Sequence, residues 1–197
     1  MDNNRPMIVF VCRGNIARSA VAEAVAKRRL HELGLDNKYT VISRGTQGVA
    51  PDDLEPVKFR NITFYSSLYQ DSKAWLEERG IDLSSHISTP IDGEVAEHAS
   101  VLFAMDRKTQ KALLTLYPDH AIKVHLLSEL VGDDREIIDP ECVSGRQKQE
   151  QIFTEIENRI VEGFPRLLVL TDSVNKTTRE ATGNQPEGIS PRREKWI

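Results

Sequence analysis

A cysteine and an arginine near the start of the chain have the spacing of a phosphate-binding loop. Five residues separate Cys12 from Arg18, and Ser19 follows directly in the segment CRGNIARS. In a loop of this length the backbone N–H groups turn inward around a tetrahedral anion, and a following helix adds the positive end of its dipole. That field favours a thiolate at Cys12, and the planar guanidinium of Arg18 can bind two phosphate oxygens at once. We therefore predict a nucleophilic cysteine beside a phosphate clamp.

The elements around this loop are those that such a site needs. Met7–Cys12 is a short apolar run rich in β-branched residues, which is typical of a strand buried on both faces. From Ser19 onward apolar residues recur with helical spacing. A strand, a loop with Gly14 and a helix in this order hold an anion at the helix start. The hydroxyl of Ser19 is then placed to donate to the cysteine thiolate and to make it a better leaving group.

The rest of the chain alternates predicted strands with predicted helices, which indicates a parallel sheet with helices on both faces. The further strands are expected at Tyr39–Ser43, Val101–Ala104 and Ile122–Leu127; the further helices at Ser72–Arg79, Arg107–Leu116 and Gln147–Leu170, the last bent near Gly163. After Leu170 the composition turns polar. We expect a single α/β domain over residues 1–170 and a polar, mobile tail over residues 171–197.

Composition and charge exclude several classes of function. The chain has 26 basic and 30 acidic residues, a net charge of −4, which argues against a nucleic-acid-binding protein. No apolar run approaches the ~20 residues needed to cross a bilayer, so we expect no membrane contact. Two cysteines form no disulfide framework, which indicates a cytoplasmic protein. We see no cluster of metal ligands and predict no metal; the oligomeric state is left open.

Five motifs, in order along the chain, resemble those of the low-molecular-weight protein-tyrosine phosphatases. Together they cover about residues 6–170 of the sequence. They are the loop region 7–24, Ser43–Thr46 (SRGT), Gly80–His86 (GIDLSSH), Met105–Asp106 and Asp139–Pro140. The resemblance implies a four-stranded parallel doubly wound sheet with flavodoxin-like strand order. It also implies a phosphorylated protein or a small phosphomonoester as substrate.

The resemblance further implies a two-step reaction without a cofactor. Cys12 attacks phosphorus while Asp139 protonates the leaving oxygen, and Asp139 then activates the water that cleaves the phosphocysteine. The remaining site residues follow from the same resemblance: Asn15, Ser19, Ser43 and His86 would shape the loop by hydrogen bonding, and Arg13, Gly14, Ile16 and Ala17 would complete it. Judged by residue type alone, Asp139 before Pro140 is a turn residue and His86 a structural histidine.

Two departures from the family pattern bear on the substrate. Val49 and Glu141 stand where the family often has aromatic residues that wall the phosphotyrosine slot. Between them lies a segment, Val49–Asp71, that looks inserted and contains Phe59, Phe64, Tyr65 and Tyr69. We favour the interpretation that these aromatic residues form a satellite core. The other interpretation is that they replace the missing walls or reshape the entrance for another substrate.

Other functions on this fold remain as alternatives. Ile16 favours the tyrosine-phosphatase branch over the arginine-phosphatase branch, in which threonine is typical at this position. Arsenate reduction needs two cysteines besides Cys12 to relay a disulfide, and this chain has only Cys142. A noncatalytic phosphate-binding module would have no need of a nucleophile or an acid.

The second cysteine raises the question of redox control. Ala17 replaces the second loop cysteine of many family members, so the neighbouring thiol that limits over-oxidation is missing from the loop. Cys142 lies three residues after Asp139 and is a candidate partner for an oxidised Cys12. The interpretation that we favour is that Cys142 is a small loop residue without a redox role.

Overall fold

Four parallel strands form the central sheet of the protein. The computed structural model describes residues 5–52 and 60–182. In these residues the strands are β1 (Met7–Cys12), β2 (Thr40–Gly45), β3 (Val101–Ala104) and β4 (Val124–Leu126), and they lie in the order β2-β1-β3-β4. All three pairings are parallel. The predicted four-stranded sheet and its flavodoxin-like order are confirmed.

Six α-helices connect or follow the strands in the described residues. They are α1 (Arg18–Glu32), α2 (Ser66–Glu78), α3 (Gly93–His98), α4 (Arg107–Leu116), α5 (Arg146–Glu162) and α6 (Phe164–Thr182). Short 3₁₀ turns occupy Ile62–Phe64, Pro118–Lys123, Leu127–Val131 and Pro140–Cys142. Helix α2 begins earlier than the predicted Ser72, and α3 had no sequence prediction.

The long carboxy-terminal helix is interrupted where the sequence predicts a bend. Helix α5 ends at Glu162 and α6 begins at Phe164, so Gly163 lies between them. The polar tail was expected from residue 171, but that boundary falls inside α6, where Thr171 is fully buried. The remainder of the predicted tail, 183–197, lies outside the described residues.

Alternate residues of β1 face two separate apolar layers, as the pleat of a strand requires. Ile8 and Phe10 pack with α1, α2, α5 and α6, while Val9 and Val11 pack with residues of α3 and α4 on the opposite face. All four side chains are completely buried. The helices therefore cover both faces of the sheet, as predicted, and β1 is fixed at its centre.

The carboxyl edge of the sheet brings distant parts of the chain together. Because the strands are parallel, the last residue of β1, Cys12, lies at the same edge as the residues that follow β3. Asp106 is two residues beyond β3, and its Oδ1 accepts a hydrogen bond from Thr109 N–H (2.7 Å) to cap α4. In doubly wound sheets this edge is where ligands bind.

Candidate active site

The loop after β1 wraps around the sulfur of Cys12. Asn15 adopts a left-handed backbone conformation (φ 52°), and its N–H donates to Cys12 Sγ over 3.2 Å. The hydroxyl oxygen of Ser19, in the first turn of α1, lies 3.1 Å from the same sulfur. Cys12 is only 3% exposed. The sulfur thus sits at the centre of the loop, in contact with the N–H of Asn15 and the hydroxyl of Ser19.

The side chain of Asn15 ties the loop to the surrounding elements. Its Nδ2 donates to Ser19 Oγ (3.0 Å) and to Ser43 Oγ (2.9 Å). Its Oδ1 accepts from the N–H of Thr89 (2.8 Å), and its backbone carbonyl accepts from His86 Nε2 (2.8 Å). The structure therefore brings together all four residues that were predicted to support the loop. Thr89 had no sequence prediction.

Two further residues stabilise the network from behind. The hydroxyl of Ser43 donates to a carboxylate oxygen of Glu23 over 2.6 Å, so the chain of hydrogen bonds ends on α1. At Gly45 an added Cβ would lie 2.8 Å from the carbonyl oxygen of Arg13, so only glycine allows β2 to approach the loop this closely. Neither Glu23 nor Gly45 was predicted as a site residue. The SRGT motif was the available signal for the glycine.

Arg18 is buried and held by two carboxylates. Its Nη1 donates to Asp106 Oδ2 (2.6 Å) and to the carbonyl oxygen of Ile137 (3.0 Å), and its Nη2 donates to Asp139 Oδ2 (2.6 Å). Burial works against the charge of the guanidinium, but Cys12, Asp139 and Asp106 together raise the pKa of Arg18 above its ordinary value. The arginine therefore remains a cation at the back of the loop.

Asp106 is a site residue that sequence reasoning did not assign. Burial opposes its charge, yet the N–H of Thr109 and the cation of Arg18 hold the pKa of Asp106 below its usual value. One carboxylate oxygen caps α4 and the other orients Arg18. The position of this aspartate just beyond β3, at the edge where β1 also ends, was the signal that could have identified it.

Asp139 caps a turn and also reaches the phosphate loop. Its Oδ1 accepts from the N–H of Glu141 (3.1 Å) and caps the 3₁₀ turn at Pro140–Cys142, as an aspartate before proline often does. Its Oδ2 reaches Arg18 in the phosphate loop. The side chain is about one-third exposed, so one carboxyl group faces both solvent and the loop.

A cavity of about 130 Å³, which we name the phosphate cavity, opens above the loop. The loop residues that line it are Cys12, Arg13, Gly14, Ile16, Ala17 and Arg18. Asp139 and Pro140 line it from the opposite side, and its remaining lining residues are Gln47, Tyr65, Leu68 and Glu141. The predicted nucleophile, clamp and acid thus share one small cavity.

The aromatic residues of the inserted segment have different surroundings. Tyr69 packs against the core, as the favoured interpretation expects, whereas Phe64 is 67% exposed. Tyr65 both packs against the core and lines the phosphate cavity. Phe59 lies outside the described residues. Val49 packs against the core layer of α3 and α4. In the described part of the chain, Tyr65 is the aromatic side chain that lines this cavity.

Comparison with known proteins agrees with the motifs and the geometry. A family model described as low molecular weight phosphotyrosine protein phosphatase matches residues 7–179. The chain belongs to this family. Members of the family are cysteine-dependent phosphatases, and the predicted resemblance is confirmed.

Individual relatives differ in the substrate that their names state. The low-molecular-weight protein-tyrosine phosphatase Ptp of Acinetobacter johnsonii is 30% identical over 135 residues, 68% of this chain and 78% of the relative. The protein-arginine-phosphatase of Bacillus subtilis is 28% identical over 134 residues, again 68% and 78%. The crystal structure of the phosphatase from T. tengcongensis superposes with a TM-score of 0.64 at 23% identity, covering 81% of this chain and 98% of that one. This last likeness supports the fold alone.

None of the helices within residues 5–52 and 60–182 is both long and apolar enough to span a bilayer.

Proposed function

We propose that this phosphatase hydrolyses phosphotyrosine side chains of proteins through a phosphocysteine on Cys12. One observation carries the proposal: Cys12 Sγ lies between the N–H of Asn15 and the hydroxyl of Ser19, in the same cavity as Arg18 and Asp139. A nucleophile, a cation and a carboxyl group converge there on one cavity of about 130 Å³. These are the groups that two-step phosphoryl transfer requires.

In the first step the phosphate group displaces Asp139 from Arg18. The Nη2 atom of Arg18 is bound to Asp139 in the free protein, and a phosphate dianion in the loop competes for that nitrogen. Nη1 stays on Asp106 and Ile137, so the guanidinium keeps its orientation. Cys12 then attacks phosphorus and the bond to the leaving oxygen breaks. That oxygen receives a proton that the released Asp139 has taken up from solvent.

In the second step water replaces the cysteine. The Asp139 carboxylate takes a proton from the water, whose oxygen attacks phosphorus as the phosphorus–sulfur bond breaks. The electron pair returns to Cys12 as a thiolate, which the hydroxyl of Ser19 at 3.1 Å is placed to stabilise. Inorganic phosphate leaves, and Asp139 gives its proton to solvent as it returns to Arg18.

Tyr65 and Leu68 support phosphotyrosine as the substrate. They lie on the wall of the phosphate cavity, and a tyrosyl ring stacked on an aromatic side chain gains about 0.5–1.5 kcal/mol beyond simple burial. Tyr65 therefore takes the place of the aromatic residues that the family often has at the positions of Val49 and Glu141. Ile16, on the wall of the same cavity, is the residue that favours the tyrosine branch.

Phosphoarginine is a second candidate because of Glu141. Glu141 lines the phosphate cavity, and no salt bridge joins it to another described residue. A phosphorylated guanidinium group carries a positive charge that this carboxylate would attract. The relative from Bacillus subtilis is named an arginine phosphatase. Arsenate reduction has less support, since the chain has two cysteines, of which Cys12 is buried and Cys142 exposed.

Rapid-mixing kinetics with matched peptides tests the proposal. One peptide carries phosphotyrosine, a second carries phosphoarginine at the same position, and an aryl phosphate serves as a small reference substrate. We expect a burst of released phenol from the aryl phosphate and a higher kcat/KM for phosphotyrosine than for phosphoarginine. Preference for the phosphoarginine peptide would assign the second candidate function. Absence of turnover of all three substrates would refute phosphatase activity.

A further inference from the structure

A second, larger cavity of about 530 Å³ adjoins the phosphate cavity, and we name it the side cavity. The two cavities share three lining residues: Arg13, Arg18 and Asp139. The ion pair between Arg18 and Asp139 is therefore part of the wall between them. A volume in this range is typical of sites that bind small molecules or peptide side chains.

One face of α4 forms the cationic side of the side cavity. Lys108, Lys111, Ala112 and Thr115 line it, and their spacing of three or four residues places them on the same side of the helix. Both lysines are exposed, and neither makes a salt bridge within residues 5–52 and 60–182. Apolar surface is provided by Ala50, Pro51, Ile137 and Ile138.

The acidic residues of the side cavity do not pair with these two lysines. Asp106 and Asp139 are bound to Arg18, and Glu136 lies 3.6 Å from Arg107. Asp52 is then the one carboxylate on the wall without a salt bridge to a described residue. The lining holds four basic and four acidic residues in all, but Lys108 and Lys111 stand together on α4 without a salt bridge to a described residue. This edge of the side cavity is therefore locally positive and combines an attraction for anions with apolar surface.

We propose that the side cavity is a second binding site that takes an acidic residue of the substrate polypeptide, close to the phosphorylated one. This inference rests on the proposed function. The leaving oxygen of the substrate must lie beside Asp139, and Asp139 borders both cavities. A polypeptide whose phosphorylated side chain enters the phosphate cavity therefore passes the side cavity. There Lys108 and Lys111 bind the carboxylate, and Ile138 contacts the methylene groups.

Peptide kinetics with charge-reversal variants tests this site. Phosphotyrosine peptides with glutamate at positions one to three on either side are compared with peptides that carry glutamine there, and phenyl phosphate reports on the phosphate cavity alone. We expect the wild type to prefer one of the glutamate peptides. Lys108→Glu/Lys111→Glu should lower kcat/KM for that peptide about tenfold, since each exposed ion pair is worth ~0.2–1 kcal/mol and reversal adds repulsion. Phenyl phosphate has no side chain to place in the side cavity. Its turnover should therefore change less than about threefold, within the range of a single exposed ion pair.

Two controls separate the side cavity from general charge effects. Lys148→Glu/Lys38→Glu makes the same charge change at residues that line neither cavity, and it should leave the glutamate preference intact. Ala112→Phe fills the side cavity and should raise KM for the preferred peptide without raising it for phenyl phosphate. Equal kcat/KM for glutamate and glutamine peptides, or a preference that survives Lys108→Glu/Lys111→Glu, would overturn the inference. Failure of the wild type to cleave phenyl phosphate would instead refute the proposed function.

Discussion

The Nη2 atom of Arg18 donates a hydrogen bond to Oδ2 of Asp139 over 2.6 Å, so the proposed phosphate clamp and the proposed acid are bound to each other. These residues lie 121 positions apart in the sequence. The contact explains how a partly exposed carboxylate is held over the loop in the free protein. Because phosphate would take the place of Asp139 on Arg18, binding of the substrate would also release the proposed acid.

Replacing Asp139 should affect substrates according to their leaving group. In Asp139→Asn the amide cannot donate an acidic proton, so kcat should fall by about 10²–10⁴-fold for a phosphotyrosine peptide. The loss should be much smaller for an aryl phosphate whose phenol is a good leaving group. Rates for a series of substituted phenyl phosphates measure this dependence. If the losses were equal across the series, Asp139 would not be the acid, and Glu141→Gln would be the next variant to measure.

Lysine should not be able to replace Arg18, whose Nε and Nη2 can bind two phosphate oxygens while Nη1 stays on Asp106 and Ile137. A single ammonium group cannot hold two oxygens of the transferring phosphoryl group, and loss of one such interaction lowers kcat by about 10²–10³-fold. We expect Arg18→Lys to show this loss in steady-state assays. A kcat close to that of the wild type would show that another group binds the phosphate.

Asp106→Asn tests whether the orientation of Arg18 matters while the charge of Arg18 itself is kept. Asparagine caps helices as well as aspartate does, so the start of α4 at Thr109 should be preserved. The arginine loses its partner carboxylate, and kcat should fall by about tenfold, the value of one hydrogen bond to a charged group. Circular dichroism on heating should show an intact fold. A variant with wild-type kcat would remove Asp106 from the site.

Tyr65 and Phe64 form a matched pair of neighbours with different predicted effects. Tyr65 lines the phosphate cavity, whereas Phe64 is 67% exposed and does not line it. Tyr65→Ala should raise KM for a phosphotyrosine peptide about threefold to tenfold, in line with one aromatic contact. Phe64→Ala should leave KM unchanged. The same increase in KM in both variants would mean that Tyr65 affects binding through the fold of its segment and not by contact with the substrate.

Two substitutions at Asn15 separate its backbone conformation from its side chain. Asn15→Gly keeps a left-handed residue without strain, while Asn15→Ala adds about 1–2 kcal/mol of backbone strain at φ 52°. Both lose the hydrogen bonds to Ser19, Ser43 and Thr89. We expect kcat to fall in both variants, and urea denaturation to show that the alanine variant unfolds more easily. Full activity of Asn15→Gly would show that only the backbone conformation matters.

Local patterns were sufficient to predict the loop and the sheet. The residues from Cys12 to Ser19 are close in sequence, and the apolar strand before them and the helix after them made the loop predictable. Apolar runs likewise identified β1 and β3 with their observed limits. The fourth strand is shorter than predicted, since the 3₁₀ turn after Pro118 extends through Lys123 and includes Ile122.

Local sequence patterns could not predict contacts between distant segments. Arg18 meets Asp106 across 88 positions, and Thr89 meets Asn15 across 74. Neither partner differs in residue type from an ordinary capping aspartate or loop threonine. The position of Tyr65 beside the phosphate loop depends on tertiary packing. The spacing of apolar residues in the sequence does not predict it. The side cavity likewise arises between elements and has no motif of its own.

The covalent intermediate on Cys12 is the central claim, and mass spectrometry tests it most directly. Protein mixed with an aryl phosphate is quenched within milliseconds and digested, and the peptide that contains Cys12 is sequenced. We predict one added phosphoryl group on the sulfur of Cys12 that disappears as turnover ends, and none in Cys12→Ser. Hydrolysis of the aryl phosphate by Cys12→Ser at the wild-type rate, or a phosphoryl group on any other residue, would contradict the mechanism.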